Sequence, residues 1–220
     1  NELLYDELFD EEEGWLSEES TDDLSRLSRE NVWIIDPIDG THQFIKGVPE
    51  WAISVAISQN GNIIEGGMLN PWANQLFNLN ENGSVELNGD PVSVTDKKNL
   101  SDVVVLTSRG EIRWGTWDRY QNSEFKISTV GSIAYRLGLV AAGIADATVS
   151  LEPKNEWDIA AGACLVENSG GVVSDLKGNK ITFNNKNTLI GGLIAAGPRT
   201  HAKLLDIINS TPSNIWLPNH

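Results

Sequence analysis

Asp36 and Asp39 lie three positions apart in the stretch Trp33-Ile34-Ile35-Asp36-Pro37-Ile38-Asp39-Gly40-Thr41-His42-Gln43-Phe44. Two carboxylates on either side of a proline turn can converge, and a glycine and a hydroxyl follow at once. Gly40 lets the backbone come close to a ligand, and a helix opening at Thr41 turns free N–H groups and a positive dipole end toward an anion. Carboxylates beside a bound anion need a cation between them. With carboxylate, hydroxyl and backbone carbonyl as donors, that cation is a hard one such as Mg²⁺. By itself, the Asp-x-x-Asp-Gly-Thr pattern is also what an ordinary Asx-type turn with capping residues looks like.

The elements that must position these groups can be read around them. Residues 32–35 are β-branched and aromatic, which predicts a buried strand, and Pro37 biases that strand to end at Asp36. Residues 41–45 begin a helix. Residues 51–58 and 63–69 alternate apolar and polar around Asn60-Gly61, a hairpin signal, and residues 75–79, 85–87 and 91–94 continue the meander. From residue 103 the pattern changes. Strands at 103–106, 145–149, 172–173 and 189–195 alternate with helices at 132–142, 159–168 and 200–208, which reads as an α/β unit. The chain is thus expected to divide into a mainly antiparallel part with helices on one face, residues 1–100, and an α/β part, residues 101–220, with the site between them. Residues 1–9 carry Leu3, Leu4, Leu8 and Phe9 at helical spacing. Residues 11–13 form an acidic, solvated loop, and residues 21–30 a link or short helix.

Two further stretches bring carboxylates into the same chemistry: Gly14-Trp15-Leu16-Ser17-Glu18-Glu19-Ser20, and Glu156-Trp157-Asp158-Ile159-Ala160-Ala161-Gly162 with a later Gly170-Gly171. Singly, Glu18-Glu19 reads as a surface pair and Asp158 as the N-cap of a helix. Together and in this order, the three motifs resemble those of the inositol monophosphatase superfamily of metal-dependent, lithium-sensitive phosphatases. The resemblance covers nearly the whole chain, and the middle motif is highly specific.

That resemblance implies a layered αβαβα sandwich in which Glu18, Asp36, Asp39, Asp158 and the Ile38 carbonyl hold two or three Mg²⁺ ions, with Ca²⁺ able to occupy the site and Li⁺ to inhibit. It assigns water activation to Glu18, Asp36 and Thr41, and substrate contacts to Asp39, Gly40, Thr41, Asp158, Gly131, Ser132 and Arg136. Glu19 supports the ligands, Trp157 packs the turn, and no covalent intermediate forms. The superfamily carries, ahead of the first helix, a threonine and an aspartate that are not among the 220 residues. In detail, Ser17-Glu18-Glu19 and Pro153-Lys154-Asn155-Glu156-Trp157-Asp158 look most like bacterial 3′(2′),5′-bisphosphate nucleotidases, which act on 3′-phosphoadenosine 5′-phosphate. Arg136 would then offer a cation to the second phosphate; its alternative is a solvated helix residue. Inositol 1-phosphate or a related sugar phosphate is the alternative substrate. A regulatory protein that keeps the fold is the non-enzymatic alternative.

Composition narrows the partners. Sixteen basic residues against 31 acidic ones give a net charge of −15, which disfavours polymeric nucleic acid and leaves a small phosphorylated metabolite held through metal. A homodimer is compatible with this. Cys164 stands alone, so no internal disulfide forms and a reducing, cytoplasmic setting is expected. No apolar run reaches the roughly 20 residues of a membrane span, and the opening residues lack the pattern of a signal peptide. His42, His201 and His220 have no zinc-site spacing. Gly-x-Ser-x-Gly and Walker-type glycine motifs are absent.

Overall fold

β1 (Gly14–Ser17) lies parallel to β2 (Asn31–Asp39), Gly14 opposite Val32 and Ser17 opposite Ile35, in a computed structural model that describes residues 12–211. The helix expected at residues 1–9 lies outside them, as does His220. An antiparallel meander continues the sheet through β3 (Ala52–Gln59), β4 (Asn62–Asn70), β5 (Gln75–Leu79), β6 (Val85–Leu87) and β7 (Asp90–Pro91), giving seven strands in sequence order. Asn60 and Gly61 turn the β3–β4 hairpin with φ of 51° and 79°, the left-handed pair that matches strand twist. Along β3 every second residue is buried, and these are the small Ala52, Ser54, Ala56 and Ser58. Their size lets a helix approach closely.

The expected end of β2 at Asp36 is corrected: the strand runs on to Asp39, with a register shift between Asp36 opposite Ser54 and Asp39 opposite Ala52. Pro37 is tolerated because β1 stops pairing at Ile35 and the shift leaves residues 37 and 38 without ladder partners. Residues 92–94 also differ from expectation. Val92 N–H still donates to the Val85 carbonyl of β6, but the chain then leaves the meander, and Val94 N–H donates to the Ser169 carbonyl.

The second half alternates β8 (Val104–Thr107), the short helix α2 (Arg109–Arg113) that follows α1 (Thr41–Ile45), β9 (Lys126–Thr129), α3 (Ile133–Ala141), β10 (Ala147–Ser150), β11 (Lys154–Asn155), α4 (Glu156–Asn168), β12 (Val172–Ser174), β13 (Leu189–Ile190), β14 (Leu193–Ala196) and α5 (Pro198–Ser210). Five of these strands make a mixed sheet in the order β12-β14-β10-β8-β9, and β11 pairs with β13. The strand expected at residues 189–195 is two pieces, because Gly192 takes φ of 120° and turns the chain. The helices covering the first sheet come from the second half of the chain. α4 packs on β2, β3 and β4, while α3 packs on α4 and reaches β10. All nine residues of α3 are buried, the charged Arg136 among them, because the helix lies between the two sheets and against α4. The layers run sheet, helix pair, sheet, and an outer layer of α5 with the Trp117, Tyr120 and Phe125 cluster.

Candidate metal centre

Asp36, Asp39 and Asp158 present carboxylate oxygens that all lie within 4.8 Å of one another. Each comes from a different structural cause. Asp36 ends the regular part of β2, fully buried, and its Oδ1 accepts the Ile38 N–H at 2.9 Å. Its Oδ2 is buried and has no hydrogen-bond partner. Asp39 sits beyond the register shift and is fixed from the far end of the chain: its Oδ2 accepts the Ser132 hydroxyl at 2.5 Å and the Ala134 N–H at 2.6 Å, across the N-terminus of α3. Asp158 was expected at the N-cap of its helix. It occupies the third position of α4 instead, with Oδ2 accepting the N–H of the capping Asn155 at 2.9 Å, because β11 carries the chain straight into the helix at Glu156.

Glu18 follows directly on β1, its N–H donating to the Ile35 carbonyl at 3.4 Å, and its carboxylate stands outside the group of three that lie within 4.8 Å of one another. Burial pushes the Glu18 proton affinity up. Burial first, and then the charges of Asp39 and Glu18, push Asp36 up to about 9. Burial and the Asp39 charge push Asp158 up to about 7. Burial also raises Asp39, although the Ser132 and Ala134 hydrogen bonds oppose it. Carboxylates so crowded cannot all ionise until a cation joins them. An all-oxygen set with an orphaned buried oxygen among it fits a hard divalent ion.

The turn after Asp39 is built for close approach. Gly40 takes φ of 91°, and a Cβ there would stand 3.1 Å from the Glu50 carbonyl and 3.2 Å from Ser132 Cβ. Thr41 is exposed, and its hydroxyl donates to the Ile38 carbonyl at 3.1 Å. Gly131 borders the same turn, its N–H donating to Glu50 Oε2 at 2.8 Å. Two residues behave otherwise than the sequence suggests. Ser132 is buried and engaged with Asp39 and the Tyr135 N–H, so it holds a carboxylate and does not face open space. Arg136 is 0% exposed, which removes the solvated reading. Its Nη1 reaches the Val149 carbonyl at 3.5 Å while Nε and Nη2 have no partner, and the charges of Glu111 and Asp39 stand near it inside the protein.

Sequence reasoning missed Glu50 and Lys154. Glu50 ties Gly131 to Arg109 through a two-armed ion pair, one arm of it at 2.7 Å. Lys154 is largely buried near Asp158 and Asp39, and burial pulls its pKa down, with the nearby Arg136 charge adding to that. Only the position of Lys154 directly before the capping Asn155, four residues ahead of Asp158, could have flagged it.

Residues 2–212 match the model of the Inositol monophosphatase family. The chain is 31% identical over 188 residues to the fructose-1,6-bisphosphatase/inositol-1-monophosphatase of Thermotoga maritima, covering 84% of this chain and 71% of that protein. It is 33% identical over 154 residues to the Nus factor SuhB of Xylella fastidiosa, covering 67% of this chain and 56% of that one. The solved structure of the Thermotoga maritima IMPase superposes with a TM-score of 0.80 at 27% identity, covering 96% of this chain and 78% of that chain.

Proposed function

The chain belongs to the inositol monophosphatase family, and from that premise we propose that it hydrolyses small phosphoric monoesters with a divalent cation held by Glu18, Asp36, Asp39 and Asp158. The observation that carries this reading is the buried, unpartnered Oδ2 of Asp36 beside the carboxylate oxygens of Asp39 and Asp158. Mg²⁺ suits such a donor set, and the Ile38 carbonyl adds another oxygen next to it. When bound, the cation neutralises the phosphate, polarises its bridging oxygen and lowers the pKa of water toward neutrality. The residues of the chain supply position. Thr41 orients the attacking water, the N–H groups of Gly40 and Thr41 receive the equatorial phosphate oxygens, and Asp158 stands on the side of the leaving group. Gly131 borders the ester's side of the turn, its lack of a Cβ making room for the Gln43 side chain. Ca²⁺ occupancy, Li⁺ inhibition, a homodimer and a cytoplasmic setting that keeps the buried Cys164 reduced belong to the same reading. Among the described residues, no helix is long and apolar enough to cross a membrane.

The finer reading takes 3′-phosphoadenosine 5′-phosphate as the preferred substrate, supported by the Ser17-Glu18-Glu19 form of the first motif. Glu156 lends it less. That carboxylate is buried and accepts the N–H groups of Asn184 and Asn185 at 2.6 and 2.9 Å, so it braces a loop. Inositol 1-phosphate is the second reading, favoured by the name of the Thermotoga relative, and the SuhB relative favours a regulatory role. Phosphate release from both esters, with Mg²⁺ and with EDTA, separates the three. Release that needs Mg²⁺ and disappears in Asp36→Asn supports the enzyme; no release from either ester supports the regulator.

A further inference from the structure

Beside the metal centre, a cavity of about 500 Å³ is lined by His42, Gln43, Lys46, Arg109, Arg113 and Trp114 among others. That volume is within the range of small-molecule sites. In a chain of net charge −15, a cavity lined by three basic side chains and a histidine, with no carboxylate, is a local reversal of the field. Arg109 is already neutralised by Glu50. Lys46 and Arg113 are exposed and have no ion pair among the described residues. Trp114 is 72% exposed, and its ring lies over α2 where Gly110 makes room: a Cβ there would stand 3.5 Å from Trp114 Cη2. An open indole face is a stacking platform for a flat ring.

The cavity adjoins the turn that holds the carboxylates. α1 leaves that turn carrying His42, Gln43 and Lys46. The Gln43 side chain forms the partition, so close to Gly131 that a Cβ there would fall 2.3 Å from Gln43 Cδ. A molecule with one phosphate at the carboxylates can therefore extend past Gln43 into basic surroundings.

We propose that this cavity is a second anion subsite, in which Lys46 and Arg113 hold a phosphate remote from the one hydrolysed and Trp114 stacks the flat base between them. The assignment rests on the phosphatase reading for the first phosphate. It gives the second phosphate accessible cations, which the buried Arg136 is not.

Two measurements on the full chain test it. In the first, kcat/KM is compared for 3′-phosphoadenosine 5′-phosphate and adenosine 3′-phosphate, which differ by the second phosphate, with Mg²⁺ in excess. Wild type should prefer the former, and the preference should fall about tenfold to a hundredfold in the Lys46→Gln/Arg113→Gln double variant, the size of a charge-assisted phosphate contact. Arg199→Gln, on the remote α5, should leave the ratio unchanged. In the second, adenosine 5′-monophosphate is titrated without metal while tryptophan fluorescence is followed. Saturable quenching should occur in wild type, vanish in Trp114→Phe and weaken about tenfold or more in the double variant. Turnover with no preference, or with a preference that the double variant keeps, overturns the subsite and leaves the phosphatase reading standing. Quenching that persists without any turnover keeps the subsite and removes the phosphatase reading. No saturable quenching overturns the subsite whatever the turnover.

Discussion

Asp36 is buried, with the carboxylates of Asp39 and Asp158 within 4.8 Å and the Glu18 charge also acting on it, so its proton is held until about pH 9. The unfolded chain loses that proton in the ordinary carboxylate range near pH 4. Between those limits the metal-free native state binds more protons than the unfolded state, and stability falls as pH rises. The melting temperature of metal-free protein should therefore drop between pH 5 and 9, the drop should shrink in Asp36→Asn, and excess Mg²⁺ should remove most of it. Calorimetric melts at a series of pH values check this; an unchanged slope in Asp36→Asn would speak against the crowded state. Ser132 acts one step out. Ser132→Ala should weaken Mg²⁺ binding about tenfold to a hundredfold by freeing Asp39, as read by calorimetric titration. The spacing of Asp36 and Asp39 about Pro37 suggested that they converge, but on their own these residues also read as an Asx turn and Asp158 as a cap, and only the resemblance of the three motifs joined them into one site. The partnership of Asp39 with Ser132 was not legible in the sequence, because it depends on the N-terminus of α3 reaching a turn far away in the chain.

The turn between β2 and α1 concentrates what the elements contribute. Strand pairing delivers Asp36, the register shift swings Asp39 round to it, and Gly40 closes the turn in a left-handed conformation that other residues adopt at a cost of about 1–2 kcal/mol. Gly40→Ala should lower stability by at least that amount, since the new Cβ also meets the Glu50 carbonyl and Ser132. A denaturant titration measures it, and a loss well under 1 kcal/mol would mean that the turn relaxes. Most strands and helices could be read from periodicity, and the Asn60-Gly61 hairpin from its turn residues. β2 beyond Pro37 could not, because whether a proline is tolerated depends on which neighbouring strand has already ended. Nor could the split at Gly191-Gly192, where a positive φ interrupts an otherwise apolar run.

Across the whole molecule, two sheets enclose a helix pair, and α4 brings Asp158 under the edge where β2 ends. The fold class followed from the change of pattern near residue 100 and from the family motifs. That helices from residues 133–168 cover the first sheet lay beyond local periodicity, because it is a matter of long-range packing. The net charge of −15 draws cations toward the acidic centre, so Mg²⁺ affinity should fall as NaCl is raised over the range in which screening shortens to a few ångströms. Direct titration of metal-free protein with Mg²⁺, coupled to phosphate release from a monoester in the same sample, tests most directly whether the carboxylate ring is a catalytic metal site. The expected result is saturable binding that rises in parallel with turnover, both lost in Asp36→Asn with the fold retained by circular dichroism. Turnover that persists in EDTA, or an Asp36→Asn variant that binds Mg²⁺ and releases phosphate like wild type, would contradict it.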